Sequence, residues 1–387
     1  MRGAITALFR TLLRLFFRRI EVAGLENVPR DRPVIFAANH PNGLVDPLFI
    51  LCFAPRRVAF LAKAPLFRYP VIGYLVRVVE SIPVYRKQDN ANGSNVETFA
   101  RARELLRDGG SIAIFPEGTT HSDPRLHEFK TGAARIALGS ELPSIAIVPA
   151  GIYYTAKQTF RSEALVWFGA PIDVGGGGAP SPVPDAVMNL THRIEAQLAS
   201  VTLQADSRAA LELIARAERM FSAGEEQPLA SQLEVRRRFV NGYHYLREHD
   251  PQRLEDLASK VRQFEAELGG AKMDPEDLSA RIDAAAVARA VLLLPFAIGG
   301  AIVHFVPYRI VDFLARRLSG GEDEMTATIK FIAALAIYPL TWIAFAIWVG
   351  GLRGLFALLV LPLLGYVALR VVETADEVIG SLRSLRY

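Results

Sequence analysis

Cysteine is almost absent from this sequence: Cys52 is the single one among 387 residues. That excludes an intramolecular disulfide framework and a Cys cluster for structural zinc. Cys52 sits in an apolar run and reads as a core residue. A Gly-x-Ser-x-Gly turn is also missing, so nothing suggests an acyl-enzyme nucleophile. No long internal repeat is visible. Forty-four Lys and Arg stand against 40 Asp and Glu, a net charge of +4. The basic residues are dispersed and no nucleic-acid motif accompanies them, so nucleic acid is not an expected partner. Residues 4–20 (AITALFRTLLRLFFRRI) are interrupted by Arg10, Arg14 and Arg18. Those charges exclude a spanning helix or a signal-peptide apolar region there.

What the chain has in abundance is apolar sequence. Hydrophobic residues make up 51% and the mean hydropathy is +0.22, which points to membrane-embedded segments. Three long apolar stretches lie near the C-terminal end, at 290–308, 331–352 and 354–369. Residues 331–352 are uncharged and long enough to span, with Trp348 near one end where aromatic anchors collect. The Gly-rich link at 350–354 makes the last two stretches a pair of spans. The first contains Pro295, Gly299, Gly300 and His304 and is expected to be re-entrant or kinked. Residues 4–20, with three arginines on one face and aromatics on the rest, are expected to form an amphipathic helix in the membrane interface.

The expected organisation is therefore tripartite. Residues 1–205 form the domain with the chemistry, 206–285 a charged helical segment, and 286–387 a membrane region with two or three apolar helices. The first of these carries 23 Lys and Arg against 17 Asp and Glu, which suits an anionic substrate or an acidic lipid surface. Within it, strand-like runs at 34–38, 58–61, 82–85, 111–115, 145–152 and 165–168 alternate with helical patterns at 95–107 and 131–138. That alternation predicts an α/β sandwich.

The chemistry gathers at the ends of two of these strands. After 34–38 comes Asn39-His40-Pro41-Asn42-Gly43-Leu44-Val45-Asp46-Pro47. A regular helix would set His40 and Asp46 about 240° apart. Each precedes a proline, and Asn42-Gly43 is a turn dipeptide, so a compact loop is expected to bring the Asp46 carboxylate to one imidazole nitrogen. The other nitrogen is then free to act as a base. After 111–115 comes Pro116-Glu117-Gly118-Thr119-Thr120, followed by Phe129-Lys130-Thr131-Gly132. Glu117, His121, Asp123 and His127 have metal-ligating side chains, but their spacing matches no strong zinc pattern and Pro124 suggests a mobile loop. No metal is expected.

Four blocks in register, NHPNGLVDP, SIPVYR, FPEGTTHS with FKTGA, and IVPAGIYY, make the first half of the chain resemble the glycerolipid acyltransferase superfamily. Five residues between His40 and Asp46 replace the commoner four, as in the fungal-type branch of glycerol-3-phosphate/dihydroxyacetone-phosphate acyltransferases. Thr120 stands where the family often has Arg. The resemblance implies a glycerolipid-acyltransferase-like αβ sandwich in which His40 is the base and Asp46 its orienting partner. It makes Glu117 and Gly118 an acceptor-side pocket, with Pro149 shaping backbone around the substrates. Arg86 and Lys130 are the first candidates for an acceptor phosphate, with Lys63 and Arg125 behind them.

The activity implied is transfer of a fatty acyl group from acyl-CoA or acyl carrier protein to glycerol-3-phosphate or dihydroxyacetone phosphate, in phospholipid biosynthesis. The alternatives are a lysophosphatidate acyltransferase making phosphatidic acid, and a non-catalytic lipid-binding membrane module. No cofactor beyond the thioester co-substrate is implied. The expected location is the membrane, with the catalytic domain on the cytoplasmic side.

Overall fold

The computed structural model describes residues 2–85, 95–175, 182–222, 227–270, 283–321 and 323–384. The chain forms two units, Met1–Asp206 and Ser207–Tyr387.

The first unit runs α1 (Arg2–Phe16), β1 (Arg19–Ala23), β2 (Val34–Ala38), α2 (Val45–Phe53), β3 (Ala59–Lys63), α3 (Pro70–Val78), β4 (Ile82–Val84), α4 (Asn95–Arg107), β5 (Ser111–Ile114), α5 (Gly132–Leu138), β6 (Ser144–Tyr154), β7 (Glu163–Phe168), β8 (Ile172–Gly175) and α6 (Pro184–Ala199). The strands make one sheet in the order β1-β7-β6-β2-β5-β3-β4, with β8 also on β6. Pairing is parallel except where β7 and β8 meet β6. Continuous apolar runs mark strands covered on both faces, and every residue of β2 is buried.

Ile35 and Ala37 of β2 face a core shared with Ala102 and Leu106 of α4, Ala133 and Ile136 of α5, and Leu190 and Ile194 of α6. On the opposite face Phe36 packs edge-on to Phe168, and Phe49 of α2 lies against Phe17. The helices following β2 and β5 therefore cover opposite faces of the sheet. Parallel neighbours whose connections part in this way open a crevice at their carboxyl ends. The loops that begin at Asn39 and Phe115 meet there.

The N-terminal helix differs from expectation. It ends at Phe16 and Arg19–Ala23 turns into an edge strand. Phe9, Leu13, Phe16 and Phe17 are buried in their own domain, while Leu8 and Leu15 remain exposed. Part of the apolar surface that suggested lipid, the stripe of Phe9, Leu13 and Phe16, is thus taken up by protein. Edge strand β1 pairs with β7 through distant residues, Arg19 with Glu163 onward, and no local pattern signals such a partner.

The second unit begins with α7 (Arg208–Phe221), α8 (Leu229–His249) and α9 (Pro251–Gly270), and continues with α10 (Ala284–Leu318), α11 (Asp323–Val349) and α12 (Gly351–Ser384). Glu218 and Arg236 form a buried ion pair at 2.8 Å between α7 and α8. The last three helices are each long and apolar enough to cross a membrane. Gly350 and Gly351, both at positive φ, make the tight link between α11 and α12. The expectation of re-entry at 290–308 is corrected: α10 is one continuous 35-residue helix with Pro295 and Pro307 inside it. An interior proline removes one backbone bond without ending a helix whose neighbours support it. His304 is satisfied here too, its Nδ1 2.8 Å from the Gly300 carbonyl oxygen and its Nε2 accepting from Trp342 at 3.0 Å.

Candidate active site

His40 lies two residues past the end of β2, and Asp46 is the second residue of α2. His40 Nδ1 is 2.9 Å from Asp46 Oδ2, with 14% of the His40 side chain exposed and none of Asp46. A carboxylate can only accept, so Nδ1 carries the proton and Nε2 is the free base. Asp46 was expected in a loop because Pro47 follows it. The structure places both residues in the first turn of α2, where backbone N–H groups have no helical partner and proline is tolerated. The same position puts the carboxylate at the positive end of the helix dipole.

The remaining acceptor capacity of Asp46 is filled. The Asn42 N–H donates to Oδ2 at 2.6 Å and the Tyr154 hydroxyl to Oδ1 at 2.5 Å. Burial pushes the Asp46 carboxyl above its ordinary range, against hydrogen bonds from His40, Tyr154 and Asn42 that pull it down. Burial, and then the charge of Asp46, raises the Tyr154 phenol well above its usual value, so it stays a donor.

Three further contacts fix the His40 loop. Asn39 Nδ2 donates to the Ile152 carbonyl at 3.0 Å, and Asn39 Oδ1 accepts from the Ile152 N–H at 2.7 Å. The His40 ring stacks on Phe115 at 4.1 Å. Lys157 Nζ donates to the Pro41 carbonyl at 2.9 Å and to Ser122 Oγ, which joins this loop to the one after β5. Sequence reasoning missed Asn39, Tyr154 and Lys157 as site residues. Asn39 and Tyr154 lay inside quoted blocks, but their partners are more than 100 residues away.

The second loop is hydrogen-bonded to its surroundings at two points. The His121 N–H donates to the His40 carbonyl at 3.2 Å, and the Ala205 N–H to the Pro124 carbonyl at 2.9 Å. Gly118 has φ +72°, a conformation that side chains resist, and a Cβ there would lie 3.4 Å from Lys130 Cγ. The Glu117 side chain is fully buried and meets His121 Nε2. Its Oε2 also accepts the His127 N–H at 2.8 Å, while Oε1 is buried with no hydrogen-bond partner among the described residues.

His121, Asp123 and His127 present their ligating atoms within 4.8 Å of one another. The two rings lie face to face, 3.6 Å apart and 4° from parallel. Imidazole lone pairs lie in the ring plane, so in this arrangement they do not converge on one ion. The cluster is instead hydrogen-bonded within itself, with His127 Nε2 2.6 Å from Asp123 Oδ2.

The expected substrate-binding residues divide. Lys130 is exposed, beside Gly118, and carries no ion pair among the described residues. Lys63 ends β3, which runs parallel to β5, so it stands at the same edge of the sheet. Arg125 is paired with Asp206. Pro149 lies buried inside β6, opposite Ala37 of β2. Arg86 falls outside the described residues.

A buried aspartate orienting a histidine beside a parallel-sheet crevice is an arrangement suited to activating a hydroxyl. Residues 19–153 match the Acyltransferase family model. Glycerol-3-phosphate O-acyltransferase 1 of Saccharomyces cerevisiae is 27% identical over 68% of this chain and 47% of its own length. The chloroplastic 1-acyl-sn-glycerol-3-phosphate acyltransferase LPAT1 of Arabidopsis thaliana is 33% identical over 36% of this chain and 38% of its own. The chain thus spans less than half the length of either relative. A solved structure, the 1-acyl-sn-glycerophosphate acyltransferase PlsC of Thermotoga maritima, is 22% identical over 50% of this chain and 78% of that one, with a TM-score of 0.38. Over residues 19–153 the chain is thus similar to the Acyltransferase family, and yeast glycerol-3-phosphate O-acyltransferases are among the relatives it resembles.

Proposed function

We propose that this protein is a membrane-bound O-acyltransferase that moves a fatty acyl group from an acyl-CoA or acyl-carrier-protein thioester to the hydroxyl of glycerol-3-phosphate. The observation that carries the reading is the 2.9 Å contact between His40 Nδ1 and the fully buried Asp46 carboxylate. In the reaction His40 Nε2 takes the proton of the acceptor hydroxyl as its oxygen attacks the thioester carbonyl. Asp46 holds the imidazole in the required tautomer and stabilises the imidazolium. General-base assistance of this kind contributes about 10²–10⁴-fold. The imidazolium then returns its proton as the thiolate leaves. The chemistry requires no cofactor beyond the thioester.

Lys130, exposed beside Gly118, is the described cation best disposed to meet the acceptor phosphate. Glu117 Oε1, buried and without a hydrogen-bond partner among the described residues, is the oxygen we assign to an acceptor hydroxyl. Glycerol-3-phosphate is favoured over lysophosphatidate because the similarity to yeast glycerol-3-phosphate O-acyltransferases 1 and 2 extends over 68% and 65% of this chain. The matches named for lysophosphatidate acylation stop near 36%. We place the catalytic unit on the cytoplasmic side, where thioester donors are made.

The test is acyl transfer by the detergent-purified protein, offered glycerol-3-phosphate, dihydroxyacetone phosphate and lysophosphatidate side by side with one acyl-CoA. Preferred acylation of glycerol-3-phosphate is expected. Preference for lysophosphatidate would reassign the acceptor, and transfer to none of them would overturn the reading.

A further inference from the structure

Of the three hydrogen bonds to the Asp46 carboxylate, two come from its own loop, His40 and the Asn42 N–H, both at Oδ2. The third comes from across the sheet: the Tyr154 hydroxyl, at the end of β6, reaches Oδ1 at 2.5 Å. Packing fixes where that hydroxyl points. The Tyr154 ring stacks on Phe17, 5.5 Å between centroids, and meets Phe49 edge-on at 5.7 Å. Phe49 lies one helical turn beyond Asp46 in α2, so the same helix carries the carboxylate and braces the phenol.

Without this donor Oδ1 would be a buried, unpaired carboxylate oxygen. Such an oxygen either takes up a proton or draws the group into rotation toward another donor. Both outcomes spoil the Oδ2–Nδ1 alignment. We propose that Tyr154 is a positioning residue of the active site, whose hydroxyl locks the Asp46 carboxylate so that His40 keeps its proton on Nδ1 and offers Nε2 as base. The proposal rests on the acyl-transfer reading above. Tyr154 touches neither substrate in this account and acts only through Asp46.

The test uses the full-length protein in detergent. Tyr154→Phe keeps the ring and its packing while removing the donor. Turnover should fall about 10- to 100-fold, the usual loss for a hydrogen bond to a charged group. KM for acceptor and donor should change by less than about 2-fold, because no substrate contact is removed. The limb of the pH–rate profile that reports the His40–Asp46 pair should move to higher pH, since a carboxylate with one donor fewer holds the shared proton more tightly. In an Asp46→Asn background, Tyr154→Phe should have no further effect. Site-specific 3-fluorotyrosine, which restores a donor, should return turnover to within ~3-fold of the starting protein; this arm serves as well if the Phe variant folds poorly.

Unchanged turnover in a folded Tyr154→Phe protein would overturn the proposal, as would additive losses with Asp46→Asn or an unmoved pH profile. His40→Ala, measured alongside, separates the two levels. If it is inactive while Tyr154→Phe is normal, only this inference fails. If His40→Ala is itself active, the acyl-transfer mechanism fails with it.

Discussion

Asn39→Ala is the perturbation whose cost can be worked most directly from the geometry. Beyond the last ladder pair of β2 and β6, Ala38 with Ala150, the Asn39 side chain takes the place of a strand. It pairs both the N–H and the C=O of Ile152, at 2.7 and 3.0 Å. Ile152 is only 3% exposed, so truncation leaves two backbone groups with little access to water. Two net hydrogen bonds at about 1 kcal/mol each, with partial desolvation of the orphaned groups, give about 2–4 kcal/mol. For a unit of roughly 200 residues, that corresponds to a fall of about 5–15 °C in Tm. The assay is thermal unfolding of the detergent-purified protein, followed by fluorescence. Asn39→Asp should behave almost as badly, because a carboxylate oxygen would face the Ile152 carbonyl. His40 follows Asn39 directly, so acyl transfer should fall in both variants at temperatures where they remain folded. A Tm within about 1 °C of the starting protein, with full activity, would refute the reasoning.

Two further predictions concern a buried thiol and an exposed amine. Burial raises the Cys52 thiol to about 12, so at pH 8 only on the order of 10⁻⁴ of it is thiolate, and a thiol reagent should label it only as the protein unfolds; labelling of the folded protein at the rate of an exposed thiol would contradict the packing of α2. The folded form of Cys52 holds its proton more tightly than the unfolded form, so its contribution to stability is full below about pH 9 and is lost as pH rises toward 12; Cys52→Ala should remove that part of the slope. Lys130→Ala should raise KM for glycerol-3-phosphate about tenfold, the low end for a charged hydrogen bond because the ammonium is exposed, and change KM for acyl-CoA less. Equal acceptor kinetics would turn attention to Lys63.

The parts of the fold legible in the sequence are those with a local signature. The five buried residues of β2 and the Ser111–Ile114 run read as covered strands because all their side chains but that of Ser111 are apolar. The His40–Asp46 contact was legible because it closes over six residues, with a turn dipeptide and two prolines between. Its helical setting was not, since Pro47 looks the same before a loop as inside a first turn. The N-terminal helix was legible as an amphipathic element, but its end at Phe16 and its protein cover were not. Phe9, Leu13 and Phe16 make the same stripe whether lipid or protein covers it, and only the three-dimensional fold brings up cover such as α2 and Phe160. Tyr154 carries no sign in sequence of its hydroxyl's destination, because the partner belongs to a helix 108 residues earlier. The continuous α10 was hidden by Pro295 and the adjacent Gly299 and Gly300, residues that end helices in water but are tolerated where neighbouring helices pack.

The central claim is that a histidine held by a buried aspartate performs the acyl transfer, and turnover of His40→Ala tests it most directly. The variant removes the base while leaving Asp46 its bonds from Tyr154 and the Asn42 N–H, so the domain should stay folded, as an unchanged melting profile would verify. With saturating glycerol-3-phosphate and acyl-CoA, kcat should drop by at least about 10²-fold. A folded His40→Ala protein that transfers acyl groups at near the original rate would contradict the account.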